Sequence, residues 1–216
     1  AYAHLALGVS YEREGLLEDA LYQYKHSIEL SSDYARAYYS LGNVYEKLGN
    51  YDKAIQEYKR AIEIDPSDEY FYNNLAITFD KAKSLEDGEK TFKGYLNLYP
   101  NSAVIHRYLG FIYEKRTKFN DAIKSLNFAI ELDPEYPDPY YNLGVITKTM
   151  GDTDGGIDYL RKAIEFKPTF SEAYYTIAII LSNAEEYDEA IKELNKAIEC
   201  DPYNFEAIRD SMYQLG

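Results

Sequence analysis

Residues 35–68 read ARAYYSLGNVYEKLGNYDKAIQEYKRAIEIDPSD, and the reading of this stretch decides the fold. It holds two segments with apolar residues at helical spacing, a turn between them, and a Pro-containing stop at the end. The same pattern returns every 34 residues along the chain, as 1–34, 35–68, 69–102, 103–136, 137–170 and 171–204, without an insertion. A fixed period of this size predicts a stacked repeat architecture, in which each unit buries its apolar faces against its neighbours. Residues 205–216 begin a seventh copy. Phe205, Ile208, Met212 and Leu215 are spaced to form a helix closing the last repeat.

Aligning the copies separates positions that repeat from positions that drift. Position 8 is small throughout: Gly8, Gly42, Ala76, Gly110, Gly144, Ala178. So is position 20: Ala20, Ala54, Gly88, Ala122, Gly156, Ala190. Position 7 is aliphatic, from Leu7 and Leu41 to Ile177, and position 24 is large: Tyr24, Tyr58, Phe92, Leu126, Leu160, Leu194. Small residues let two helices cross closely and large ones fill the space beside the crossing. Positions 4, 7, 8 and 11 fall on one face of the first helix, and 20, 24, 27 and 28 on one face of the second. Pro66, Pro100, Pro134, Pro168 and Pro202 stand at position 32, where each second helix must stop. Asp52, Asn120, Asp154 and Asp188 cap or charge the start of the second helix. Helix-interior glycines, Gly88 and Gly94 in repeat 3 and Gly155 and Gly156 in repeat 5, predict that these two repeats are locally the least stable.

The set Leu41, Gly42, Tyr45, Ala54, Tyr58, Ala61 and Pro66 resembles the tetratricopeptide repeat, and the likeness runs through essentially the whole chain. The Trp that the family carries at position 4 is replaced by Tyr38, Tyr72, Tyr140 and Tyr174, and by His4 and His106. The resemblance implies an all-α fold, a right-handed α-solenoid of antiparallel helix pairs.

Composition narrows the partners. The net charge of −14 argues against nucleic acid, whose phosphates need clustered Lys and Arg, and against an anionic membrane surface. No apolar run approaches the roughly 20 residues of a membrane-spanning helix. The chain begins at Ala1 within a repeat, which reads as an excised fragment or a mature chain. A single Cys excludes an intrachain disulfide framework, and the lack of an Asn-x-Ser/Thr sequon favours a cytoplasmic setting.

Motifs for chemistry are missing. The one Gly cluster, Gly151 to Gly156, reads as a turn followed by a cap: it lacks the strand and Lys of a phosphate loop and most ligands of a calcium loop. His4 and His106 read as packed between helices, His26 as a core or surface residue, and Cys200 as a small buried hydrophobe. The chain is therefore expected to be non-enzymatic, with no metal and no cofactor.

The resemblance also implies where a ligand would sit. In the family the first helices line a concave groove through positions 2, 5, 6, 9, 12 and 13, which holds an extended peptide or a partner helix. Carried onto this sequence, the candidate partner-binding residues are Tyr39, Asn43, Asn73, Asn74, Arg107, Tyr108, Phe111, Tyr141, Asn142 and Tyr175. Aromatic rings bury apolar side chains, while Asn both donates to and accepts from a peptide backbone. Packing of several of these Tyr between neighbouring repeats is the alternative. Arg13, Lys47, Lys81 and Lys115 stand beside Glu12, Glu46, Asp80 and Glu114, a pattern of mutual neutralisation on the groove rim, with attraction of an acidic peptide as the alternative. The carboxylate clamp of chaperone-binding members falls on Tyr39, Asn43, Asn74, Val104 and Tyr108, where its three basic residues are missing. The expected function is a protein-interaction scaffold. The alternatives are a self-assembling structural module and the targeting arm of a larger enzyme.

Overall fold

The computed structural model describes residues 1–202, and the segment 205–216 expected to close the last repeat lies outside the described residues. Among the described residues there are twelve α-helices, in sequential pairs. They are α1 (Tyr2–Arg13), α2 (Leu17–Leu30), α3 (Ala35–Lys47), α4 (Tyr51–Ile64), α5 (Glu69–Lys81) and α6 (Leu85–Leu98). These are followed by α7 (Ala103–Lys115), α8 (Phe119–Leu132), α9 (Pro137–Thr149), α10 (Thr153–Phe166), α11 (Ser171–Asn183) and α12 (Tyr187–Cys200). The fold is all-α, built of antiparallel helix hairpins.

Two compact units are formed. The first comprises residues 1–100 with 111–116, and the second 101–110 with the chain from 117 onward, so α7 contributes residues to both. In the first unit Tyr24, Leu41, Val44, Tyr58, Ile62, Phe71, Leu75 and Phe92 are buried. In the second, Leu160, Ala163, Phe170, Ala173, Ile177 and Ile180 form the core, with Ile157 and Ile164 packed against it. Burying a side chain of this size stabilises by about 1.5–3 kcal/mol, so the apolar rows supply the main driving force in both.

Within a pair, the small residue at position 8 lies against the large residue at position 24. A Cβ on Gly8 would come within 2.4 Å of the Tyr24 ring, and one on Gly42 within 2.7 Å of the Tyr58 ring. Gly110 and Gly144 meet Leu126 and Leu160 in the same way. In α9 and α10 the backbones themselves touch, since a Cβ on Gly144 would lie 2.9 Å from the Gly156 carbonyl oxygen. Of the two glycines expected to weaken α10, Gly156 is therefore also what allows this close crossing, whereas Gly155 stands against the Asp152 side chain. Gly94, by contrast, faces open space, with no atom within 4 Å of where its Cβ would stand.

Between pairs, α2 packs on α3, α4 on α5, α8 on α9 and α10 on α11. The first helix in such a stack is thus buried on two sides. Position 10 is buried in Val44, Thr78, Ile112, Ile146 and Ile180, and position 3 in Ala37, Phe71, Ile105, Pro139 and Ala173. The one-face reading of the first helix left these rows out.

The turn inside each pair needs one residue in left-handed backbone, at position 15. Gly15, Gly49 and Gly151 fill it at φ +78°, +73° and +99°, and Lys83, Thr117 and Glu185 at +54°, +56° and +65°. The side-chain caps stand at position 16 rather than 18: Asn50 Oδ1 accepts from Lys53 N, and Asp152 Oδ1 from Gly155 N at 3.0 Å. Asp52, Asp154 and Asp188 lie in the first turn, so they charge the helix start instead of capping it. Cys200 is half-buried, not fully enclosed, with Sγ 3.7 Å from the Pro168 carbonyl at the last turn of α12.

Candidate functional site

In the first unit, one face of α1, α3 and α5 encloses an open depression of ≈ 320 Å³, lined by Leu5, Val9, Arg36, Tyr39, Ser40, Asp68, Tyr70 and Phe71. The apolar lining comes from positions 5 and 9 of the first repeat, position 5 of the second and positions 2 and 3 of the third. Tyr70, at position 2, is 69% exposed. The Tyr39 ring leans on Phe71 at 5.1 Å and on Tyr58 at 5.8 Å, so one face is packed between repeats while the residue still lines the depression.

Beside it lies a polar network. The Tyr58 hydroxyl donates to Asn43 Oδ1 at 2.8 Å, with Glu46 Oε2 at 3.3 Å. Asn74 Nδ2 donates to the same Asn43 oxygen at 2.8 Å and to the Tyr39 hydroxyl at 3.2 Å, and Asn73 donates to Asn74 Oδ1. Glu46 also takes Thr78 Oγ1 at 2.7 Å and Lys81 Nζ at 2.6 Å, both from the following repeat. Burial pushes the Tyr58 phenol far above its ordinary value of 10, and the Glu46 carboxylate adds to this. Tyr24 repeats the arrangement one copy earlier: its hydroxyl donates to Glu12 at 2.7 Å, Lys47 Nζ reaches Glu12 at 2.8 Å, and burial first and Glu12 second raise its pKa.

The basic and acidic rows therefore do pair, but not only side by side. Lys47 and Lys81 each reach back one repeat, to Glu12 and Glu46, whereas Lys115 pairs with its neighbour Glu114. Phe111 is half-buried, with Lys115 Nζ 5.1 Å above its ring.

In the second unit, Arg107 joins two of the sequence-derived positions. Its Nε donates to Asn142 Oδ1 at 3.2 Å, its Nη2 lies 3.1 Å from Asp138, and its guanidinium sits 4.2 Å from the Tyr108 ring centroid. Tyr108 and Asn142 are only 3% and 5% exposed, and a ligand meets little of either. Tyr141 is half-buried against Phe170 at 5.1 Å. Tyr175 lines a separate depression of ≈ 290 Å³ with Ala178, Ile179, Ser182 and Asn183.

His4 is half-buried with Nδ1 2.7 Å from Gln23 Oε1, His106 packs on Phe128 at 4.6 Å, and His26 pairs with Glu29 on the surface. Among the described residues, no group of three or more His, Cys, Asp or Glu is placed to hold a metal ion, and no helix is long and apolar enough to cross a membrane.

Leu5, Val9, Arg36 and Tyr70 lie at groove positions 2, 5 and 9 but outside the candidate set, whose members, Arg107 apart, were chosen for being Asn or aromatic in the inner repeats rather than for exposure.

Comparison with known families and structures gives a consistent result. The profile described as tetratricopeptide repeat matches residues 35–68, a TPR repeat profile matches 13–49 and 115–151, and a further tetratricopeptide repeat profile matches 149–210. No curated protein sequence matches at a significant level. Among solved structures, a MamA protein is 29% identical over 80% of this chain and 94% of its own, with a TM-score of 0.52. Yeast Tom70 is 22% identical over 90% of this chain and 42% of its own, with a TM-score of 0.71. YrrB, described as a TPR protein with an unusual peptide-binding site, is 20% identical over 88% of this chain and 97% of its own, with a TM-score of 0.52. With the repeat profiles and the paired helices in agreement, the chain is a tetratricopeptide-repeat protein, of a family whose members mediate protein–protein interactions.

Proposed function

We propose that the chain is a scaffold that holds a peptide or a partner protein against the exposed faces of its first helices. The observation that carries this reading is the open depression on α1, α3 and α5, where Leu5, Val9, Tyr39 and Tyr70 stay accessible in a chain that otherwise covers its repeat-defining residues. Accessible aromatic and aliphatic side chains beside unspent polar groups are what a peptide needs: burial of its side chains and hydrogen bonds for its backbone. The peptide-binding site named for YrrB is a fold-level parallel only.

The test is affinity capture from a cell extract with the wild-type chain and with Tyr70→Ala and Leu5→Ser. Both residues sit outside the core, so the melting temperature should hold while partner recovery falls. Unchanged recovery would remove the first unit's depression from the function.

One observation favours a second reading, self-association. Leu7 is 42% exposed, whereas its counterparts Leu41, Leu75, Leu109, Leu143 and Ile177 are all buried. A second copy stacking on this face of α1 would cover it in the way inner first helices are covered. Light scattering across a range of concentrations separates the two, since stacking raises the mass and peptide binding does not.

A further inference from the structure

Arg36 projects into the depression of the first unit, and among the described residues it makes no ion pair. This sets it apart from Lys47, Lys81 and Arg107, whose charges are spent on Glu12, Glu46 and Asp138. Two carboxylates stand in its neighbourhood: Asp65, whose carboxyl is held below its ordinary value by the Ser67 hydrogen bonds first and by the Arg36 charge last, and Asp68, which lines the same depression. Asp65 accepts from Ser67 N at 3.0 Å and Ser67 Oγ at 2.6 Å within its own turn, and Asp68 caps α5 by accepting from Tyr70 N at 3.0 Å. A guanidinium with open donors, bordered by Leu5, Val9, Tyr39 and Tyr70, is matched by a carboxylate standing next to an apolar side chain.

Resting on the proposed peptide-binding role, we propose that the first unit's depression selects a short partner segment in which an Asp or Glu adjoins an aliphatic or aromatic residue. The acid pairs with Arg36 and the apolar side chain lies between Leu5, Val9 and Tyr70. The net charge of −14 works against acidic segments at long range, so selection depends on a short contact and the segment carries few acids beyond the one that Arg36 holds. A basic segment is the opposing possibility: it would be drawn by the overall charge and repelled by Arg36.

A phage-displayed library of random 12-residue peptides, panned on the full chain, supplies the probe. Enrichment of Asp or Glu within two positions of an apolar residue is expected. A selected peptide should lose about tenfold in affinity for Arg36→Gln, as for one charge-assisted contact. Changing its acid to the amide should cost a similar factor, and the two changes together little more than either alone. Enrichment of Lys or Arg, or full affinity for Arg36→Gln, overturns the proposal. Sensitivity to Tyr70→Ala without sensitivity to Arg36→Gln leaves the peptide-binding site in place and removes the acid preference. Insensitivity to both, or no enrichment at all, removes the site as well. Loss of peptide binding as the chain's own concentration rises assigns the surface to a second copy and equally overturns it.

Discussion

The same notch, between position 8 of a first helix and position 24 of a second, is filled differently in the two units. In the first, Tyr24 and Tyr58 lie under Gly8 and Gly42, and their hydroxyls emerge on the far side to meet Glu12, or Asn43 and Glu46. In the second, Leu126 and Leu160 fill the same space beneath Gly110 and Gly144 and carry nothing further. Position 12 follows the change only in part: it is Glu12 and Glu46 where position 24 is Tyr, and Glu114, Lys148 or Ser182 where it is Leu. The tyrosine version links packing to a polar network that extends into the next repeat through Thr78, Lys47 and Lys81. The leucine version is packing alone. One backbone therefore accepts two sets of side chains, and the choice decides whether neighbouring repeats are joined by polar contacts beside the candidate binding face.

The largest effect is expected where the notch itself is filled. Gly144→Ala places its Cβ 2.7 Å from Leu160 and 2.9 Å from the Gly156 carbonyl, and backbone cannot step aside. A loss at the upper end of about 1–3 kcal/mol is expected. For Gly42→Ala the nearest atoms all belong to the Tyr58 side chain, so its loss should be smaller, and Tyr58→Leu should recover part of it, because the sixth repeat already combines Ala178 at position 8 with Leu194 at position 24. Leu160→Ala should give no such recovery for Gly144→Ala. Chemical denaturation of the four variants reads this directly, and equal rescue in both units would break the distinction between them.

A smaller effect isolates the hydroxyl. Tyr58→Phe keeps the ring and leaves Asn43 with one donor fewer, for an expected loss of about 1–2 kcal/mol. It also changes the response to alkali. Burial raises the pKa of Tyr58 and Tyr24, and pushes Tyr72 up to about 12, so the folded state holds these protons more tightly than the unfolded chain does. That stabilisation is complete below pH about 10, the ordinary tyrosine value, and is lost as pH rises through the raised values. The first unit should therefore loosen above pH 10, and Tyr58→Phe should flatten the decline. Hydrogen exchange resolved by unit is the measurement. The notch in the second unit holds no phenol at Leu126 or Leu160, so an equal change in exchange there would count against the assignment.

What could be read from the residues alone was what recurs at short range. Rows 7, 8, 20, 24 and 32 gave the helix pairs, because each reflects a contact inside one hairpin or a stop within it. Rows 3 and 10 were not read, since they face the preceding repeat and a search for a single apolar face passes over them. The polar links are beyond local spacing altogether: Lys47 with Glu12 and Lys81 with Glu46 join residues 35 apart. The same limit applies to the candidate site. Tyr39 was legible as an aromatic at a groove position, but burial of Tyr108 and Asn142 follows from Arg107 bridging to Asp138, a contact between repeats. Of the two roles open to the acids at position 18, charging the helix start is the one they take, because Asn50 and Asp152 stand two residues earlier as the caps.

The smallest expected effect concerns the turn at position 15, where the two units should behave alike. Left-handed backbone costs an L-residue about 1–2 kcal/mol relative to Gly, and Lys83 at φ +54° and Glu185 at φ +65° both bear it. Glycine gives some of this back through the greater freedom of its unfolded chain, so Lys83→Gly and Glu185→Gly should each gain about 0.5–1 kcal/mol. Thr117, β-branched and at φ +56°, is the most strained of the three, but removal of its side chain also removes the contacts it makes. The converse change, Gly49→Lys, puts into one copy the residue that another copy already has, and should lose what Lys83→Gly gains. Equal and opposite shifts in denaturation midpoint would show that the turn is a property of the hairpin alone. If Lys83→Gly gained while Glu185→Gly did not, the turn too would depend on the unit that surrounds it, and the contrast between the units would extend beyond the notch.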